Sequence, residues 1–177
     1  MIEYRTLEAA ELSRVREIDR TETIDALYVQ RGAHLELRHG DFSSPAWKSD
    51  GGGAHSLAEV HEALTGWSER GGTAIGAFES DALVGIGLVL PHLRPGVAQL
   101  AFLYVTAGRR GAGIGVELFD ALEALARAAG DRSLVVSATP SLNTVRFYER
   151  RGFRPMAEPL PELFALEPED VHMEKLL

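Results

Sequence analysis

The stretch that most constrains this chain runs from Val97 to Ala129. It opens as an apolar, strand-like segment ending LAFLYV and passes through RRGAGIG at Arg109–Gly115. It then continues as the clearest amphipathic pattern in the sequence. A helix is predicted over Ile114–Ala129. Leu118, Phe119, Leu122, Leu125, Ala126 and Ala129 follow helical spacing, and Gly130 suits the position just past the end. A strand, a glycine turn and a helix in that order leave several N–H groups unpaired at the helix start. Glycines 111, 113 and 115 can take positive φ and let a ligand touch the backbone. Such a cluster, aided by the helix dipole, holds an anion, most often a phosphate. Arg109 and Arg110 add positive charge beside it.

The flanking pattern sets this unit in a sheet. Strands are predicted at Ile2–Thr6, Thr73–Glu79, Ala82–Leu90, Val97–Val105, Ser133–Ala138, Phe153–Met156 and Val171–Leu176. Ser80-Asp81 reads as a tight turn. Leu7–Ile18 has a near-helical period. Ser56 followed by Glu59 reads as a capping box opening a helix to about Glu69, ended by Gly71-Gly72. A further helix is predicted over Leu142–Arg151, stopped by Gly152. Between Thr21 and Asp50 two patterns compete. Ala26–Gln30 and Ala33–Leu37 flank Arg31-Gly32 as in a hairpin, while Ile24–Val29 also reads as helix. The order β, α, α, β, β, β, α, β, α, β, β implies a mixed α/β or α+β sheet with helices on both faces. No internal repeat or linker separates two domains, so a single domain over 1–177 is expected, with a divergent segment at about 20–56.

Composition narrows the chemistry. No cysteine is present, which excludes disulfides, thiolate metal sites and a cysteine nucleophile. The formal net charge of −8 repels nucleic acid and slightly favours a cationic partner. No apolar run approaches the ~20 residues of a membrane span. The N-terminal MIEYRTLEAAEL carries acidic residues and no apolar signal core, so a cytoplasmic protein is expected. The histidines show no H-x-x-x-H pair, and no metal is expected.

Two familiar phosphate motifs fail to fit the turn. A P-loop needs Gly-Lys-Ser/Thr at the helix start, where this chain has Gly115, Val116 and Glu117. A dinucleotide fingerprint needs G-x-G-x-x-G in a nearly N-terminal βαβ unit, whereas this turn follows three consecutive strands and its third glycine comes one residue early. R-x-x-G-x-G at Arg110–Gly115, after LAFLYV, instead resembles the acetyl-CoA motif of the GNAT superfamily N-acetyltransferases. A second segment, FYERRGF at Phe147–Phe153, resembles that family's C-terminal signature, and VHMEKLL resembles its last strand. The resemblance is strongest from Thr73 to Arg154. It implies a mostly antiparallel central sheet of about seven strands.

By the same resemblance, backbone amides of Arg109, Arg110, Gly111, Ala112, Gly113, Ile114 and Gly115 grip the pyrophosphate of coenzyme A. The pantetheine lies along Leu103, Tyr104 and Val105 like an added strand. The Val105 N–H serves as oxyanion donor, and Tyr148 is the general acid for the leaving thiolate. Tyr148 also reads as a core aromatic beside Val145. Where the family often has asparagine, seven residues before the tyrosine, this chain has Ser141, with Asn143 two residues on. Each suits either pantetheine binding or a helix cap.

The implied reaction is direct transfer of an acetyl group from acetyl-CoA to a primary amine of a small molecule or protein. The alternative is a non-catalytic acyl-CoA-binding module. Candidates for the base are Glu79, Glu22, Asp25 and His92, each with a surface role as the competing reading. Trp47 and Trp67 read either as lining for the acceptor pocket or as core. A homodimer through the C-terminal strands is a further expectation of the resemblance.

Overall fold

The computed structural model describes residues 1–53 and 55–177. Its main sheet has seven strands. They are β1 (Ile2–Thr6), β4 (Thr73–Glu79), β5 (Ala82–Arg94), β6 (Val97–Val105), β7 (Ser133–Ala138), β8 (Arg154–Pro155) and β9 (Val171–Leu176). Their order is β1-β4-β5-β6-β7-β9-β8. All neighbours pair antiparallel except β6 and β7. Thus the mixed, mostly antiparallel sheet is observed. Strands β2 (Glu22–Arg31) and β3 (His34–Ser44) form a separate hairpin. Of the two patterns in that segment the hairpin is the one formed, with Gly32 at φ 60° supplying its turn.

Among the described residues, four α-helices cover the sheet: α1 (Leu57–Glu69), α2 (Ile114–Ala128), α3 (Leu142–Arg150) and α4 (Pro161–Leu166). One layer packs Leu64 of α1 with Leu7, Leu12, Val15 and Ile18 against Phe78, Leu83, Ile86 and Leu88 of the sheet. The opposite layer packs Leu118, Phe119 and Leu122 of α2 and Val145 and Tyr148 of α3 against Ala77, Val89 and Val136. Helix α2 packs directly over β5. A Cβ at Gly87 would stand 2.5 Å from Leu122 Cδ1, and one at Gly85 would stand 2.9 Å from Ile114 Cγ2, so a side chain at either position would force those helix residues to shift.

Three local expectations are corrected. Ala9–Glu17 is a 3-10 helix, not an α-helix. Its inward residues Leu12, Val15 and Ile18 are spaced by three, and a three-residue turn keeps them on one face. The proline-bearing loop before β9 holds α4, which begins with Pro161 at its first turn, where a missing N–H costs nothing. The capping box is half formed. Ser56 Oγ accepts from the Glu59 N–H at 3.1 Å, but the Glu59 carboxylate accepts from the Gly53 N–H at 2.7 Å.

Candidate active site

The parallel pairing of β6 with β7 covers only Val97–Gln99 against Ser133–Val135. Beyond it the register of β6 on β5 shifts, so that Ala101 is an extra residue between Leu100↔Val89 and Phe102↔Leu88. Such a bulge bends the strand, and β6 diverges from β7 into an open edge. The Thr106 N–H bonds the Val84 carbonyl at 2.9 Å, which fixes the alternation along β6. The backbone groups of Tyr104 face β5, and those of Leu103 and Val105 face the opening. Arg110 Nε donates to the Val105 carbonyl at 3.1 Å, leaving the Val105 N–H aimed at the gap.

At the end of β6 the glycine turn forms, but not as expected throughout: Gly115 lies inside α2 without positive φ, and the N–H groups of Arg109, Arg110 and Ala112 are taken by the carbonyls of Thr106, Ala107 and Arg109. Gly111 and Gly113 lie at φ 81° and 86°, and a Cβ on either would meet nothing within 4 Å. Among the described residues, no protein group accepts from the N–H groups of Gly111, Gly113, Ile114 or Gly115. This is a cluster of free donors at the start of a 15-residue helix, with the electrostatic character of an anion cradle. The two arginines differ in direction. Arg109 donates from Nε to Glu79 at 2.9 Å at the rim. Arg110 turns inward to the carbonyls of Val105 and Thr21, at 3.1 and 2.9 Å, and braces the turn.

Tyr148 is buried on α3, edge-on to Phe147 and Phe153 with centroids 5.3 and 5.4 Å away. Burial pushes its phenol well above the ordinary tyrosine range, and the charges of Tyr104 and Asp170 add to this. The phenol therefore stays protonated, a donor rather than a base. Ser141 caps α3, its Oγ accepting from the Thr144 N–H at 3.2 Å. Asn143 is exposed, and with Asp25 it lines a small cleft between β2 and α3. Trp47 and Trp67 both pack against Phe102 of β6, with centroids 6.3 and 6.5 Å apart.

The candidate bases are scattered. Glu79 is paired with Arg109 and Glu22 lies 3.9 Å from Arg110, both at the turn. His92 bonds Asp131 at 3.0 Å. It lies beyond Leu90↔Gln99, at the other end of β6, about 20 Å along the strand from Val105.

A carboxyl that the sequence does not single out lies beside the end of β7, where Val171 pairs with Ala138. Asp170, just before β9, lines a cavity of about 170 Å³ with Tyr28, Gln30 and Phe164. Its charge acts on both the Tyr148 and Tyr104 phenols. Burial raises its pKa to about 7, with the Glu167 carboxyl contributing.

The profile of the acetyltransferase (GNAT) family matches residues 40–153, well over half of the chain. The chain belongs to the GNAT acetyltransferase family. It is an acetyl-CoA-dependent acetyltransferase, and the matched range holds β6, the glycine turn and Tyr148. No curated protein is matched by sequence. Solved structures share the fold of this acetyltransferase at low identity. A nourseothricin acetyltransferase superposes with TM-score 0.74 at 16% identity, covering 99% of this chain and 98% of its own. PaiA N-acetyltransferase from Thermoplasma acidophilum, in complex with coenzyme A, gives 0.63 at 17%, covering 100% and 99%. A candidate streptothricin acetyltransferase from Bacillus anthracis, in complex with acetyl coenzyme A, gives 0.72 at 13%, covering 100% and 99%.

Proposed function

We propose that this acetyltransferase moves the acetyl group directly from acetyl-CoA to a primary amine. The observation that carries the reading is the continuity of two features. The free amides of the turn at Gly111–Gly115 lie at the end of the strand whose Leu103 and Val105 backbones face an open edge. A diphosphate on the turn and a pantetheine amide chain along β6 would satisfy both sets of groups at once.

In this arrangement the thioester lies in the gap between β6 and β7. The amine nitrogen attacks the thioester carbon, and a β6 N–H facing the gap, that of Val105 or of Leu103 farther from the turn, donates to the developing oxyanion. The C–S bond then breaks, with the Tyr148 phenol donating a hydrogen bond to the departing sulfur. Its raised pKa keeps the hydroxyl protonated and so available for that hydrogen bond. Asp170, with a pKa near neutrality and a place on the adjacent cavity, takes the proton the amine loses. Neither step calls for a covalent acyl-enzyme, and the chain has no cysteine to form one.

The test is thiol release from acetyl-CoA with a panel of primary amines, beside calorimetric binding of coenzyme A. Turnover of at least one amine, with mass-spectrometric detection of the N-acetyl product, is the expected result. Tight binding of coenzyme A with no turnover of any amine would leave a non-catalytic acyl-CoA-binding module and refute the enzyme reading.

A further inference from the structure

On the α1 face of β6 a charge stands without a partner. Arg20 follows the 3-10 helix and is only 5% exposed. Its Nε and Nη1 are buried and have no hydrogen-bond partner among the described residues. The guanidinium lies over the ring of Trp47, 4.7 Å from the centroid. The indole Nε1 of Trp47 is also buried and unpartnered among the described residues. Trp47 in turn stacks on Phe102, at 6.3 Å and 18°, and meets Tyr104 edge-on at 5.4 Å. Phe102 and Tyr104 flank Leu103, whose backbone faces the opening where the acyl group would lie.

A buried guanidinium without an acceptor is strongly unfavourable, and an aromatic face offsets only part of the loss. The acids close to it in sequence are engaged elsewhere. Asp19 accepts from the Thr21 N–H and hydroxyl at 2.9 and 2.7 Å, Glu17 is held by Arg14 at 2.7 Å, and Glu22 faces Arg110. Two segments far apart in sequence thus bring unsatisfied donors together beside the reacting strand. A planar fork of N–H groups matches a carboxylate.

We propose that Arg20 and Trp47 form a carboxylate-binding subsite at the transfer centre, filled by a carboxylate carried on a substrate. This rests on the transferase reading above and names a feature of its substrate. The carboxylate rides either on the acceptor, which is then an amino acid or a related amino acid derivative, or on the acyl chain of the donor.

The test uses the full chain as wild type and as Arg20→Met, Arg20→Lys and Trp47→Phe. Acceptor pairs differing only in a carboxylate, lysine against cadaverine and 6-aminohexanoate against hexylamine, are compared by kcat/KM with acetyl-CoA. Succinyl-CoA against acetyl-CoA is compared with hexylamine as acceptor. Wild type is expected to prefer the carboxylate member of an acceptor pair or of the donor pair by roughly 10- to 100-fold. Arg20→Met brings that ratio close to one, and Arg20→Lys and Trp47→Phe lower it in part. Which ratio responds identifies the carrier. A wild type indifferent to the carboxylate on both substrates overturns the proposal, as does a preference that Arg20→Met leaves intact. Should Arg20→Met fail to fold, Arg20→Lys carries the same comparison. If the wild type acetylates no amine, the transferase reading fails. The subsite is then decided by calorimetric titration of 6-acetamidohexanoate into the coenzyme A complex. Binding weakened by Arg20→Lys supports it, and binding that is absent or indifferent to the substitution overturns it.

Discussion

Gly113 separates what the glycine turn does for the fold from what it does for the ligand. It is the N-cap of α2, at φ 86° and ψ −10°. A Cβ there would meet no protein atom within 4 Å. Alanine at this position therefore suffers no clash, only the left-handed backbone penalty of about 1–2 kcal/mol. For a domain of this size that lowers the thermal midpoint by roughly 2–8 °C. Gly130 lies just past the other end of the same helix at φ 87°, also with nothing within 4 Å of a Cβ. Gly130→Ala is thus expected to lower the midpoint by a similar amount. The two variants should part on ligand binding. The methyl of Gly113→Ala projects where a diphosphate would approach the free amides. Loss of one charge-assisted hydrogen bond, about 1.5–3 kcal/mol, weakens coenzyme A by roughly 10- to 150-fold. Differential scanning of the ligand-free proteins and calorimetric titration of coenzyme A measure both effects. Wild-type affinity in Gly113→Ala, or an equal loss in Gly130→Ala, would refute the assignment of the turn as the diphosphate site.

Tyr148→Phe keeps the edge-on packing against Phe147 and Phe153 and removes only the hydroxyl. Its kcat is expected to fall roughly 100-fold or more with little change in thermal midpoint; an unchanged kcat would mark the residue as core alone. Asp170→Asn tests the base by pH. In wild type the rate should rise through about pH 7 as the carboxyl ionises, and the variant should lose that limb. The same shift acts on stability. The folded pKa of about 7 exceeds the reference value of 3.8, so the folded state binds more protons in that window and loses stability as pH rises through it. Asp170→Asn should then melt higher than wild type at pH 8, relative to their difference at pH 4. Ser141→Ala removes the cap of α3 and is expected to cost about 1 kcal/mol, or roughly 2–4 °C, in a thermal melt.

The sheet was legible in the sequence because its signals are local. Thr73–Glu79, Val97–Val105, Ser133–Ala138 and Val171–Leu176 form strands with the expected bounds, each an apolar run punctuated by turn residues. Helix α2 announces itself by period and by Gly130. Where two local patterns scored alike, the neighbours chose between them. Leu27 bridges Ser141, the Tyr28 N–H bonds the Pro140 carbonyl and Gln30 bonds both Met156 and His172. Those partners lie over a hundred residues away, and they hold β2 extended. In the same way, the three-residue spacing of Leu12, Val15 and Ile18 fits a loose α-helix on paper and a 3-10 turn against the sheet.

The sequence by itself determined the donor half of this enzyme. Strand, glycine turn and helix are contiguous, so their spacing alone places free amides at the end of β6. What surrounds the proposed transfer centre came only from tertiary structure. Arg20 and Asp170 lie far apart in the chain, and each is an ordinary residue in its own neighbourhood. An arginine reads the same whether solvated or buried without a partner. An aspartate shows no sign that burial will hold its proton near neutrality. Desolvation is a property of what packs around a group, and that is decided only when segments distant in the chain come together.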